Sequence, residues 1–192
     1  LTTLDVTTTS NIASNITSSG VQGYDGAVTL TGASIMTTTD GNVTFGSTIV
    51  SDANDRALTV TTDNTNDIVK FTGAVGAGLN SELGAIAITG ILDANSTIEA
   101  ASLTVTGAST LGGNVSTTGG AGQVYSGIAT NDGGATMTLT ASAGDVNFVT
   151  GFRGGSQILN IVGALDLDTG NMTGLTTLDV TTTSNIASNI TS

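Results

Sequence analysis

Short triplets, in which two hydrophobic residues flank one residue of another kind, recur along the whole chain. They lie at residues 4–6, 28–30, 43–45, 58–60, 69–71, 86–88, 103–105, 137–139, 146–148, 159–161 and 178–180. Because successive side chains of a strand point to opposite faces, each triplet predicts a strand with one buried and one exposed face. Gly, Asn, Asp and Ser separate the triplets and predict turns. The pattern therefore indicates many short strands and no helix.

The chain contains one long exact repeat. Residues 1–18 read LTTLDVTTTSNIASNITS, and residues 175–192 read the same, letter for letter. We interpret residues 1–174 as one full tandem repeat unit and residues 175–192 as the start of the next. The pattern predicts that the chain belongs to a longer tandem array.

A weaker repeat divides the unit into half-copies at residues 4–102 and 103–177. The matched positions include Gln22 with Gln123 and Tyr24 with Tyr125. The first half-copy is about 24 residues longer, with the extra residues between positions 67 and 90. A solenoid accepts an insertion of about one coil, because each coil contacts only its neighbours. The segments IVKF and AIAIT within the insertion predict two of its strands.

These features predict an all-β protein that folds as a parallel β-helix (β-solenoid) built from short strands. The composition agrees: 38 Thr favour strands, 27 Gly favour turns, and there is no Pro to interrupt the N–H donors of interior coils. The alternative is a tandem of Ig-like β-sandwiches, two per unit. That fold predicts antiparallel hairpins and domains of about 75 and 99 residues.

Three segments carry a resemblance to a known class of protein. LTVTGASTLGGNVSTTGG (residues 103–120), YDGAVTL (24–30) and DGNVTFG (40–46) resemble the repeats of very long exported bacterial proteins. These are the filamentous-haemagglutinin-like and autotransporter-like surface proteins. The resemblance implies a right-handed parallel β-helix, export to the cell surface, and a structural or adhesive role.

The composition excludes several kinds of chemistry. With no Cys and no His, thiolate catalysis, zinc fingers and His-based acid–base catalysis have no residues to perform them. Three cations against 15 acidic residues, a net charge of −12, exclude a nucleic-acid-binding role. No apolar stretch approaches the roughly 18 residues of a membrane span, so we expect no membrane insertion in this window.

Two acidic segments are similar to calcium loops. They are the segment from Asp63 to Asp67 and the pair Asp166 and Asp168. Calcium prefers six to eight oxygen ligands, and closely spaced carboxylates can supply some of them. Asp and Asn are equally typical of turns, where they accept backbone hydrogen bonds. We therefore expect no cofactor, and calcium is the one candidate, with Asp63, Asp67, Asp166 and Asp168 as its candidate ligands. The segment GGAGQVY (119–125) fails as a calcium nonapeptide, because Val124 stands where Asp is required.

No catalytic residue is predicted. Asp166 and Asp168 alternate as the carboxylates of a glycosidase do, but the two Tyr lie at equivalent repeat positions and form no sugar platform. We expect the protein not to be an enzyme.

Two further patterns favour structural interpretations. Thr-x-Thr steps begin at Thr7, Thr29, Thr59, Thr104 and Thr138. Their irregular spacing indicates outward-facing strand residues rather than a single ice-binding rank. Asn-x-Ser/Thr sequons begin at Asn15, Asn42, Asn95, Asn114 and Asn171, and the exact repeat copies the first of them. Since Asn15 and Asn114 occupy equivalent half-repeat positions, we interpret them as a ladder of turn asparagines.

Together these observations predict a structural extracellular fibre or matrix protein. We expect a repetitive β-solenoid filament that lies outside the cell or on its surface and assembles by coil stacking and end-to-end contacts. Its expected partner is another copy of itself. The alternative is the stalk of a large bacterial adhesin, which displays a receptor-binding tip outside this window.

Overall fold

A computed structural model describes residues 1–63 and 66–192, and this part of the chain contains 22 strands and no helix. The strands are β1 Leu4–Val6, β2 Ser10–Ile12, β3 Ile16–Ser18, β4 Gln22–Tyr24, β5 Val28–Leu30, β6 Ser34–Thr38, β7 Val43–Phe45, β8 Ile49–Ser51, β9 Leu58–Thr62, β10 Ile68–Phe71, β11 Leu83–Thr89, β12 Ile91–Ala94, β13 Ile98–Val105, β14 Ser109–Leu111, β15 Val115–Thr117, β16 Gln123–Tyr125, β17 Ala129–Asn131, β18 Thr136–Phe148, β19 Gly151–Leu167, β20 Asn171–Val180, β21 Ser184–Ile186 and β22 Ile190–Thr191. The segments IVKF and AIAIT are strands, as predicted.

The strands stack in parallel on three faces of a solenoid. Face A consists of β1, β4, β7, β10, β12, β14, β17, residues 151–153 and 171–173, and β22. Face B consists of β2, β5, β8, Val75, residues 98–100, β15, and residues 136–141, 157–162 and 177–180. Face C consists of β3, β6, β9, residues 85–89 and 102–105, β16, residues 145–148 and 164–167, and β21.

The chain visits faces A, B and C in turn, so the described residues make nine coils and begin a tenth. We number the coils from the first strand, and each coil starts on face A. Long strands such as β18 and β19 bend around a corner and belong to two or three faces. The predicted all-β parallel β-helix is confirmed.

The alternative of tandem Ig-like sandwiches is wrong. Every strand pairing among the described residues is parallel, and partners lie a whole coil apart, as Leu4 and Gln22 do. A sandwich requires consecutive strands to pair antiparallel through tight turns. Here the turns are corners, which pass the chain to the next face instead of folding it back on its neighbour.

Side-chain alternation builds the core. On face B, residues from five successive coils form one internal rank in which none is more than 1% exposed: Val28, Ile49, Val75, Ile98 and Val115. β-Branched side chains suit this position, because identical neighbours about 4.8 Å apart can pack in one rotamer. The hydrophobic positions of the triplets thus became the interior of the solenoid.

All six aromatic residues lie in the core, in two stacks of three rings. In the first stack, the Tyr24 and Phe45 ring centroids are 5.1 Å apart at an interplanar angle of 10°, and Phe71 follows at 5.5 Å. Tyr125, Phe148 and Phe152 form the second stack, with centroid separations of 5.3 and 5.1 Å. The few aromatic residues of the sequence are therefore concentrated at two sites of the interior.

Each aromatic stack begins with the same buried polar pair. Tyr24 Oη donates to Gln22 Oε1 at 3.1 Å, and Tyr125 Oη donates to Gln123 Oε1 at 3.0 Å. The Gln amides donate in turn to the backbone carbonyls of Thr37 and Thr140, each at 2.9 Å. Because these side chains are buried, the hydrogen bonds remove the cost of leaving the polar groups unpaired.

The extra residues of the first half-copy amount to one coil. From Leu4 on face A of coil 1 to Leu103 on face C of coil 5, the chain makes four and two-thirds coils. From Leu103 to Leu178 on face B of coil 9, it makes three and two-thirds coils. The prediction that the insertion forms about one coil is confirmed.

Candidate assembly surface

The edge of the first coil is fully paired with the second coil. Leu4 N–H donates to Val21 C=O at 3.0 Å, and Asp25 N–H donates to Val6 C=O at 2.8 Å. Face B repeats this pattern, with bonds from Ser10 to Ala27 and from Thr31 to Ile12. Residues with inward side chains thus direct their N–H and C=O groups to the next coil.

Residues 175–192 fold into strands at the other end of the described stack. Leu178 and Val180 pack against the core on face B, and β21 and β22 continue on faces C and A. Ile186 is 43% exposed and Ile190 is 40% exposed, although the equivalent of Ile186 in the first coil, Ile12, is 6% exposed. Each of these isoleucines is stacked on one residue of a neighbouring coil, Ile12 on Leu30 and Ile186 on Leu167.

The identical segments lie on different faces. Residues 4–6 lie on face A, whereas their copies at residues 178–180 pair with residues 159–161 on face B. One repeat unit therefore spans eight and one-third coils, and the segment returns turned by one face, a third of a turn. No sequence pattern shows this turn, because it depends on the total number of corners in the unit.

Asparagine side chains join successive coils at the start of strands. In four of the six sequons, the Asn Oδ1 accepts the N–H of the residue stacked on it in the next coil. These bonds join Asn15 to Ile35 (3.0 Å), Asn42 to Ile68 (2.8 Å), Asn114 to Thr138 (2.9 Å) and Asn171 to Asn189 (3.3 Å). Asn15 and Asn114 lie beside bends, as expected, but they form no ladder with each other, because the residues stacked on them are Ile35 and Thr138. Asn42 and Asn171 make the same kind of bond.

Replacing Asn114 by Ala is expected to lower the free energy of unfolding by about 1 kcal/mol, because the Thr138 N–H loses its acceptor. Urea unfolding followed by circular dichroism measures the change. Asn95→Ala is the matched control, since Asn95 is an exposed sequon asparagine outside the four inter-coil bonds. Equal destabilisation by the two substitutions would show that the inter-coil bond contributes nothing.

The calcium candidates are divided between two coils. Asp63 and Asp67 both lie in coil 3. Asp67 Oδ2 accepts the Gly41 N–H at 2.9 Å, and Asp63 is exposed. Two residues of the predicted segment, Asn64 and Thr65, lie outside the described residues. In the described ranges, no three acidic, His or Cys residues converge on one point. Calcium binding at Asp63 and Asp67 stays a prediction.

Asp166 and Asp168 lie in coil 8 and take part in hydrogen bonds between coils. Asp166 Oδ1 accepts Asn185 Nδ2 at 2.9 Å, and Asp166 Oδ2 accepts Asn147 Nδ2 at 3.5 Å, so three coils are joined on the outside of face C. The backbone C=O of Asp168 accepts Ser188 Oγ at 3.1 Å. These bonds give the Asp166 carboxylate a structural role, and calcium binding at this pair also stays a prediction.

Two of the three cations are held in ion pairs. Arg56 Nε and Nη2 donate to the two carboxylate oxygens of Asp52 at 2.8 and 2.9 Å, and this hydrogen bonding lowers the pKa of Asp52. Lys70 Nζ lies 2.7 Å from Asp93 Oδ2, on the neighbouring coil of face A. With these cations engaged, a chain of net charge −12 presents a negative surface to its surroundings.

The Thr-x-Thr steps are spread over several faces, as their irregular spacing indicates. The steps at Thr29 and Thr138 lie on face B, and those at Thr59 and Thr104 lie on face C. The structure nevertheless stacks a different set in register on face C: Thr17, Thr37, Thr61 and Thr89. Sequence spacing misses this rank because successive coils differ in length.

The chain was compared with protein-family models, curated proteins and solved structures. No protein-family model matches it, and neither the curated proteins nor the solved structures contain a match. Among the described residues there is also no candidate for a membrane-spanning helix. Evidence on function therefore comes from the solenoid itself.

Proposed function

We propose that this protein is a structural component of an extracellular or cell-surface fibre, which grows by stacking of solenoid coils. The observation that carries this proposal is the continuous parallel stack, into which the recurrent segment 175–192 is incorporated as a coil. A strand edge at the end of such a stack has N–H and C=O groups available for another chain. The proposed partner is therefore a second copy of the protein.

In this role the chain needs no catalytic activity. Its polar side chains are used along the stack: Asn114 and Asp166 bond to neighbouring coils, and Gln22 and Gln123 bond inside the core. The repeats resemble filamentous-haemagglutinin-like and autotransporter-like surface proteins, which supports export from a bacterium. The negative surface is expected to limit lateral contact between neighbouring fibres at low ionic strength.

Fibre diffraction of concentrated, aligned protein tests the proposed function. Stacked coils are expected to produce an axial reflection at about 4.8 Å. We also expect a rise of about 40 Å for each eight and one-third coils, which helical reconstruction measures. A protein that stays monomeric at every concentration, or a fibre without the axial reflection, would overturn the proposal.

A further inference from the structure

We propose that copies of this chain join by exchange of identical coils: residues 175–192 of one copy replace residues 1–18 of the next. This inference rests on the proposed function and names the site and the partner of the self-association. The partner is a second copy of the same chain, and the segment that docks is residues 19–38 of that copy. The released residues 1–18 then leave the stack.

The two surfaces that would exchange are identical in sequence. In the structure, β4, β5 and β6 stack on β1, β2 and β3, with Gln22 beside Leu4, Val28 beside Ser10 and Met36 beside Ile16. Residues 178, 184 and 190 are Leu, Ser and Ile, as residues 4, 10 and 16 are. The last coil therefore presents the same side chains and the same outward-directed N–H and C=O groups.

An asparagine closes the contact between the first and second coils. Asn15 Oδ1 accepts the Ile35 N–H of the second coil at 3.0 Å. Its copy is Asn189, whose own N–H is bonded backward to Asn171. Stacking β6 of a second copy on β22 would place the N–H of that copy's Ile35 against Asn189. Every type of contact made by the first coil thus has a counterpart in the exchanged arrangement.

Exchange replaces one set of contacts by an identical set and frees a segment of chain. The bonds and packing that residues 1–18 give up are re-formed by the identical residues 175–192, so the two sets nearly cancel. The released segment regains conformational freedom, which favours the joined state. In the structure the first coil contacts one neighbouring coil, and Leu1 is 70% exposed. Exchange of an identical element is a low-cost route to assembly.

Stacking without exchange is less favourable when like segments meet. Residues 178–180 placed on residues 4–6 would set Asp179 beside Asp5, and like charges on directly opposed positions are destabilising. In the exchanged arrangement, Asp179 lies beside Gly23 instead, as Asp5 does in the structure. A side chain at Gly23 has room there, since the nearest atom to an added Cβ is Asp5 Oδ1 at 3.7 Å.

The exchange fixes how copies are turned along the fibre. Face A of each new copy continues face B of the preceding one, because residues 178–180 lie on face B. Each copy is therefore rotated by one face, and three successive copies return to the starting orientation. A given residue such as Tyr24 therefore lies on a different face of the fibre in each of three successive copies.

Disulfide locking tests the exchange in the full chain, which has no native cysteine. In the variant Asp5→Cys/Gly23→Cys, adjacent strands place the two Cα atoms about 4.8 Å apart, within disulfide range. Oxidation fastens the first coil to the second, and we expect fibre growth to slow at least tenfold and to recover on reduction. The control Thr110→Cys/Thr130→Cys locks a register pair in coils 6 and 7, and its fibre growth should not respond to oxidation.

Mixing two single variants identifies the docked residues. Gly23→Cys and Asp179→Cys chains should form a crosslinked heterodimer within fibres, and hydrogen exchange should show residues 1–18 losing protection. Asn11 lies on face B of the first coil, where Asp179 would stack if copies joined face to face without exchange. A crosslink between Asp179→Cys and Asn11→Cys would therefore refute the exchange but not the fibre. Fibre growth at the normal rate by the oxidised Asp5→Cys/Gly23→Cys variant would do the same. Absence of any fibre with the axial spacing refutes the proposed function itself, and absence of the heterodimer refutes the exchange.

Discussion

Truncation of Phe45 to alanine is expected to lower the free energy of unfolding by about 3–5 kcal/mol, the cost typical of removing a buried aromatic ring. Phe45 is 1% exposed and is the middle ring of its stack, between Tyr24 and Phe71. Its removal opens a cavity in coil 3 and separates the rings on either side. Two ring–ring interactions disappear as well, each adding about 0.5–1.5 kcal/mol beyond the area buried.

Denaturant unfolding and hydrogen exchange together measure this effect. Because each coil contacts only its neighbours, we expect protection to fall mainly in coils 2 to 4. Thr44→Ala is the matched control, since Thr44 lies on the same strand with its side chain directed outward. Phe148→Ala, the middle ring of the second stack, should cost about as much as Phe45→Ala. A loss no greater than that of Thr44→Ala would show that the ring stack does not stabilise the solenoid.

Alkaline pH is expected to unfold the protein through its two tyrosines. Burial raises the pKa of Tyr24 to about 12 and raises that of Tyr125 further. In the unfolded chain both phenols ionise near their ordinary pKa of about 10. Above that pH the unfolded state has released protons that the folded state still holds, so the stability contributed by the neutral phenols falls as pH rises. Each tyrosine contributes a slope of up to about 1.4 kcal/mol per pH unit.

Absorbance of tyrosinate reports this transition cleanly, because the chain has two Tyr and no Trp. We expect both phenols to ionise together with the loss of β circular dichroism, rather than gradually before it. The double variant Tyr24→Phe/Tyr125→Phe is the control: it loses the hydrogen bonds to Gln22 and Gln123, but its stability should depend less on alkaline pH. Independent ionisation of either phenol in the folded protein would contradict the burial.

The sequence alone was sufficient for the class of fold and for much of the core. The triplets at residues 28–30 and 43–45 became strands with buried outer residues because period-two alternation leaves a short strand only one way to bury its hydrophobic face. The inserted coil was predictable for a related reason: a solenoid adds residues by adding a coil. Asn15 and Asn114 were recognised as turn residues from their equivalent repeat positions.

Features of the surface were harder to predict, because they depend on which residues of different coils come into register. The rank formed by Thr17, Thr37, Thr61 and Thr89 joins coils of unequal length, so no fixed spacing indicates it. Asp166 is a calcium candidate by sequence, and the structure adds the bonds of its carboxylate to Asn147 and Asn185 on neighbouring coils. Sequence spacing describes one coil at a time, but these bonds join two or three.

The sequence by itself determined that the chain is a repetitive stack of short parallel strands, and that residues 175–192 repeat residues 1–18. Local alternation and turn residues suffice for that conclusion, because each is set within a few positions of the chain. Only the tertiary structure decided that the repeated segment returns on face B rather than face A. That turn is the sum of every corner in the unit, and the packing of each coil on the one before it fixes where each corner falls.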